Sequence, residues 1–138
     1  MGLLIDSTVI IHAERKHLSP ADLVAELIER WGDVELGISV MSAAELFHGC
    51  RRAETPARRV RREEFVEALL GAIPTALVTL AVARLFGELD ARLSARGRRI
   101  PTSDLLIACT ALARGDDIVT GDRRHFDRVP GLTAHALS

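Results

Sequence analysis

Leu3-Leu4-Ile5-Asp6-Ser7-Thr8 is an apolar run halted by a carboxylate, the pattern of a short strand buried on both faces that ends at a sheet edge. Outward from it, Leu23, Val24, Leu27 and Ile28 recur at three- and four-residue spacing behind Ser19-Pro20, which predicts a helix opening at Pro20. Val34 to Val40 reads as a second strand. Ser42-Ala43-Ala44-Glu45 then has the form of a capping box, which would put Glu45 in the first turn of a helix. Arg51 to Leu70 has helical propensity interrupted at Pro56, and Pro74 ends it. Ala76 to Thr79 reads as a third strand, and Val82, Leu85, Phe86, Leu89 and Leu93 mark an amphipathic helix closing at Gly97. Thr102-Ser103 is expected to cap a helix whose body, Leu105 to Leu112, is apolar on nearly every side and therefore buried. Ile118 to Thr120 is a fourth strand candidate, Gly121-Asp122 the turn that leaves it, and Leu132 to Ala136 a fifth.

Strands alternating with helices over residues 1–138 predict one α/β domain with a mostly parallel central sheet of about four or five strands and helices on both faces. In such folds ligands bind beyond the carboxyl ends of the strands, where the winding direction reverses. Asp6, Glu45 and Asp122 each follow a strand candidate and Asp104 sits at a helix start, so this topology can gather all four at one edge.

The totals agree with a soluble single domain. The chain has 138 residues, 48% of them hydrophobic, enough for a sizeable core, and a formal net charge of -1 that selects no partner. Of its 18 basic residues only Lys16 is a lysine, so 17 are arginines. That bias has a bland reading, codon usage in a GC-rich genome, and a functional one, since arginine suits phosphate, to which its planar fork donates two parallel hydrogen bonds. Cys50 and Cys109 lie far apart and form neither a disulfide framework nor a paired metal motif, as expected of core thiols in a reducing cytoplasm. No stretch approaches the roughly 20 apolar residues of a membrane span, and Asp6 interrupts the opening run before a signal sequence could form.

Each acidic residue also has a purely structural reading. Asp6 could cap a helix after the first strand, Glu45 could be the reciprocal member of a capping box, Asp104 could be a first-turn acid favoured by the helix dipole, and Asp122 could be a turn residue beside Gly121. Convergence weakens those readings taken together. Clustered carboxylates repel one another, and a hard divalent cation such as magnesium relieves that repulsion with oxygen ligands, water and substrate phosphate.

Four stretches, Leu4-Ile5-Asp6-Ser7-Thr8, Ser42-Ala43-Ala44-Glu45-Leu46, Asp104-Leu105-Leu106-Ile107-Ala108 and Val119-Thr120-Gly121-Asp122-Arg123-Arg124-His125-Phe126, together resemble the PIN-domain nucleases, and within them the VapC-type toxins of bacterial toxin-antitoxin pairs. The resemblance runs through nearly the whole chain in the family's order. It implies a doubly wound sheet and a single-strand endoribonuclease dependent on Mg2+ or Mn2+, which inhibits growth by blocking translation. Asp6, Glu45, Asp104 and Asp122 would be the catalytic, metal-binding acids, with Thr120 and either Ser7 or Thr8 as hydroxyl support. It also implies RNA as substrate, a cognate VapB-type antitoxin and a homodimer in the cytoplasm.

Arg123, Arg124 and His125 are candidates for RNA contact, against the reading of a solvated basic loop. The basic stretch from Arg58 to Arg62 is a solvated helix face or a surface for RNA or an acidic antitoxin segment. Other chemistries fit less well. A dinucleotide site needs glycines after the first strand, where Ser7-Thr8-Val9-Ile10 stands; a phosphoryl receiver wants a late lysine; and an aspartate-nucleophile phosphatase wants a second aspartate at the position of Thr8. The competing class is a catalytically silent binding module that keeps the acidic pocket for structure or for a protein partner; a third reading keeps the nuclease chemistry with structured DNA as substrate, against which the short chain shows no insertion to clamp a duplex.

Overall fold

The structure, a computed structural model, describes residues 2–137. Strand β1 (Gly2–Ile5) leads through α1 (Ser7–Arg15) and α2 (Pro20–Trp31) to β2 (Glu35–Ser39), and then through α3 (Val40–Arg51) and α4 (Pro56–Ala72) to β3 (Thr75–Ala76). Helices α5 (Leu80–Ala95) and α6 (Thr102–Arg114) follow, then β4 (Asp117–Thr120), a 3-10 turn at Phe126–Arg128, and β5 (Ala134–Ala136). The strands form one sheet in the order β3-β2-β1-β4-β5, and every pairing is parallel. The chain winds outward from β1 to β3 and returns to pair β4 with β1, so the winding reverses between these two central strands. That is where a crevice opens at the carboxyl ends.

The apolar opening run supplies both cores because strand side chains alternate faces. Leu3 and Ile5 face a layer of Val9, Ile10, Leu23, Leu27, Leu46, Val66 and Leu69 from α1 to α4. Leu4, between them, faces the opposite layer, built by Val82, Leu89 and Leu93 of α5, Leu105 and Ala108 of α6, and Phe126. Helices therefore cover both faces, as expected. Among the described residues no helix is long and apolar enough to cross a membrane.

Several local expectations are met. Ser19 caps α2 with Pro20 in its first turn, and its hydroxyl accepts from Asp22 N–H at 3.1 Å while the Asp22 carboxylate accepts from Ser19 N–H at 3.1 Å. Gly97 takes φ 63°, a left-handed value that favours glycine, just beyond α5. The interruption at Pro56 is a helix start, with Thr55 as its cap.

Other expectations are corrected. The capping box at Ser42–Glu45 does not form: α3 starts at Val40, where the Ser39 hydroxyl accepts from Met41 N–H at 3.1 Å, so Glu45 lies in the second turn. Ser42 is buried instead, its hydroxyl without a hydrogen-bond partner among the described residues. The third strand is only Thr75–Ala76, because Thr79 is the cap of α5 and the intervening Leu77 is 67% exposed. Helix α6 starts at Thr102 itself, preceded by Pro101 and without a side-chain cap. The fifth strand narrows to Ala134–Ala136.

Candidate acidic active site

Asp6 sits where β1 stops. Its N–H still donates to Val119 O of β4 at 2.9 Å, which fixes the residue over the crevice, while its side chain caps α1 by accepting from Ser7 N–H at 2.9 Å. The other carboxylate oxygen accepts two hydroxyls, Thr8 Oγ1 at 2.7 Å and Thr120 Oγ1 at 2.9 Å. Both hydroxyl protons are thereby used on the carboxylate, so the 3.3 Å approach of the two threonine oxygens is a contact of acceptors. Thr8 Oγ1 also accepts from Gly121 N–H at 2.8 Å, and a Cβ on Gly121 would meet that threonine at 3.2 Å. Glycine at this position lets β4's exit close onto α1.

Asp6 is 4% exposed, and burial pushes its carboxyl above the ordinary value of 3.8 against the pull of the Thr8 and Thr120 hydrogen bonds, with the Asp104 charge pushing the same way. Glu45, half-buried on α3, is raised first by burial and then by the charges of Asp6 and Asp104. Ser7 Oγ donates to Glu45 Oε1 at a long 3.4 Å. The open question of which hydroxyl serves the site thus resolves into a division: Thr8 and Thr120 hold Asp6, and Ser7 touches Glu45. Asp104, in the first turn of α6, receives His125 Nδ1 on Oδ2 at 2.6 Å.

The structure therefore brings three of the four acids into one electrostatic centre, and treats the fourth differently. The Asp122 backbone packs on the site, its N–H donating to Thr120 Oγ1 at 3.1 Å. Its carboxylate is 45% exposed and held by Arg124, whose Nη2 donates at 2.6 Å and whose N–H donates at 3.0 Å. That guanidinium lowers the Asp122 carboxyl to about 2. Of the other two RNA-contact candidates, Arg123 lies 3.5 Å from Asp127 and His125 is on Asp104. Sequence reading placed His125 only as a phosphate contact, and its pairing with Asp104 carried no signal in the chain order.

Around Glu45 a cleft runs between α1, α3 and α4, with Ile10, Ile11 and Phe65 as apolar lining and Arg15, Arg52 and Arg62 as cations. Arg62 reaches Glu14 at 3.7 Å and Gly49 O at 3.2 Å, while Arg58 in the first turn of α4 pairs at 3.0 Å with Glu54, which lies just before the helix. The basic stretch is thus divided between a solvated face and this cleft.

The sequence profile of the PIN domain family matches residues 3–132. This chain belongs to the PIN-domain family. Among its relatives, Ribonuclease VapC19 of Mycobacterium tuberculosis is 36% identical over 129 residues, 94% of this chain and 95% of that protein. Ribonuclease VapC2 of Haemophilus influenzae is 26% identical over 129 residues, 94% of this chain and 92% of that one. The crystal structure of VapBC2 from Rickettsia felis bound to a DNA fragment from its promoter contains a chain that superposes with TM-score 0.86 at 23% identity, covering 100% of both chains. At that identity the superposition speaks for the shared PIN fold, with its five-stranded parallel sheet and, among the described residues, six α-helices.

Three carboxylates that sense one another supply hard oxygen donors of the kind that bind magnesium or manganese, and a cation would relieve the burial and repulsion that raise Asp6 and Glu45. Among the described residues no three His, Cys, Asp or Glu side chains are placed to hold an ion unaided. Such a set suits an ion that keeps several waters.

The raised carboxyls have a consequence for stability. A folded-state carboxyl above its unfolded value keeps its proton longer in the fold, so stability is greatest when it is protonated and declines as pH rises from the ordinary carboxylate range through the raised value. With EDTA present, Glu45→Gln is therefore expected to melt near the parent at about pH 4 and above it at about pH 7. Parent and variant melting together across that interval would show that neither burial nor the neighbouring charges raise the Glu45 carboxyl.

Proposed function

We propose that this PIN domain is a metal-dependent endoribonuclease, the toxin of a toxin-antitoxin pair held by a VapB-type antitoxin. The observation that carries the reading is buried Asp6 at the β1–β4 switch point, within reach of the charges of Glu45 and Asp104. The ribonuclease names of its VapC relatives support RNA as the substrate, and the VapBC complexes among solved structures support the antitoxin and the toxin role, with translation as the process that RNA cleavage stops. A homodimer in the cytoplasm belongs to the same proposal.

Asp6, Glu45 and Asp104 would hold Mg2+ or Mn2+. When bound, the ion supplies activation of a water and stabilisation of the charge that develops on a scissile phosphate. Thr8 and Thr120 hold the Asp6 carboxylate in one orientation before substrate arrives. Glu45, engaged only by the long Ser7 contact, is the acid freest to accept the proton of the attacking water. Asp122 completes the acidic set when Arg124 turns from it to an RNA phosphate, an exchange that is inexpensive because exposed ion pairs contribute little. Arg123 and the cations of the cleft beside Glu45 extend the phosphate-binding surface, which an acidic segment of the antitoxin could also occupy.

Purified protein is expected to cut a mixed single-stranded RNA pool with magnesium or manganese and to stop cutting on addition of EDTA. Cleavage that persists in excess EDTA would refute metal dependence. Absence of cleavage with either ion would favour the second reading, an acidic pocket serving a protein partner, to which the occupied Asp122 carboxylate already lends itself.

A further inference from the structure

His125 touches the acidic centre from behind. Its ring is 39% exposed and Asp104 is 23% exposed, yet the 2.6 Å separation of Nδ1 and Oδ2 is as short as any ion pair among the described residues. A carboxylate offers only acceptors, so the proton lies on Nδ1 and the imidazole donates. The other Asp104 oxygen, Oδ1, has no hydrogen-bond partner among the described residues. The backbone beneath the ring is fixed. His125 precedes the 3-10 turn, its carbonyl accepts from Arg128 N–H at 3.1 Å, and the adjoining Phe126 is buried in the core shared with α6. An ion pair this exposed adds little to stability.

We propose that His125 is a positioning residue for Asp104: by occupying Oδ2 it fixes the carboxylate plane and leaves Oδ1 to the metal. The inference rests on the metal-binding reading of Asp104 and adds to it the group that orients that ligand. Outer partners of this kind tune ligand geometry, and their loss typically weakens metal binding by about 10–100-fold. It also separates His125 from its arginine neighbours, whose side chains pair with exposed carboxylates of their own loop.

The test uses manganese alone, titrated into the intact protein by calorimetry or electron paramagnetic resonance, so that no turnover is required. His125→Ala should weaken manganese binding by about 10-fold or more. His125→Asn, whose side-chain amide can donate from nearly the position of Nδ1, should recover most of it. Binding of a labelled single-stranded RNA pool in EDTA should be the same in all three proteins. Unchanged manganese affinity in His125→Ala, or an asparagine variant as weak as the alanine variant, would overturn the positioning role. So would a loss confined to RNA binding in EDTA, which would make His125 a phosphate contact. Failure of the parent itself to bind manganese would remove the metal-site reading and this inference together, whereas parent binding that Asp6→Ala abolishes and His125→Ala does not would remove the inference alone.

Discussion

Asp6→Asn should reduce RNA cleavage at least about 10^3-fold while leaving the protein folded. The asparagine side chain keeps an oxygen for Ser7 N–H and is as good a helix cap as aspartate, so α1 retains its start. Its amide group meets the Thr8 and Thr120 hydroxyls, which can turn from donors to acceptors. Lost is the negative charge at the buried centre, and with it the strongest electrostatic hold on a cation. A metal contributes several kcal/mol of transition-state stabilisation, and a loss of about 4 kcal/mol corresponds to roughly 10^3 in rate. Because burial raises the Asp6 carboxyl, the variant in EDTA at neutral pH should also be more stable than the parent, as charges kept for function often allow when removed. The two readouts together are diagnostic. A variant that cuts RNA within tenfold of the parent would displace Asp6 from the active site, and one that is both inactive and unfolded would mean that its hydrogen bonds matter more than its charge.

Phe126→Ala is expected to carry the largest stability loss outside the sheet, about 3–5 kcal/mol in denaturant unfolding. The ring is 2% exposed and packs in the core of α5 and α6, so its removal leaves a cavity beneath the segment that links Asp122 to β5. With domains of this size stable by about 5–15 kcal/mol, the variant should fold but unfold at much lower denaturant. Cleavage should fall as well, because Arg124 and His125 ride on that segment. A loss under about 1 kcal/mol would show that backbone bonds, such as Asp127 N–H to Arg123 O at 2.8 Å, suffice to hold the segment in place.

How much of this was legible in the sequence varied with the physics of each element. Leu3-Leu4-Ile5 announced a central strand because burial on both faces admits no polar residue, and the strand is 0–1% exposed along that run. Ser19-Pro20 announced a helix because a hydroxyl cap and a proline are locally sufficient. The start of α3 was misplaced by three residues because Ser39 and Ser42 are both competent caps, and the choice was made by β2 reaching Ser39 in register with Ala76. Leu77 and Val78 read as strand by composition, but the ladder ends before them. At the site, convergence of Asp6, Glu45 and Asp104 followed from topology. The Arg124 hold on Asp122 and the His125 hold on Asp104 did not, since they depend on rotamers of exposed side chains that neighbouring sequence does not set.

The bonds from Thr120 to Asp6 and from Gly121 to Thr8 join residues 114 and 113 positions apart. β4, which carries that partner segment, enters the sheet beside the first strand made. During synthesis, then, the centre has a time of birth. Contacts of such separation form late and slowly. Until the segment around Thr120 clears the ribosome, the growing chain holds Asp6 without its second hydroxyl and β1 without a neighbour on one side, so the acidic centre is complete only once nearly all of the domain has been made.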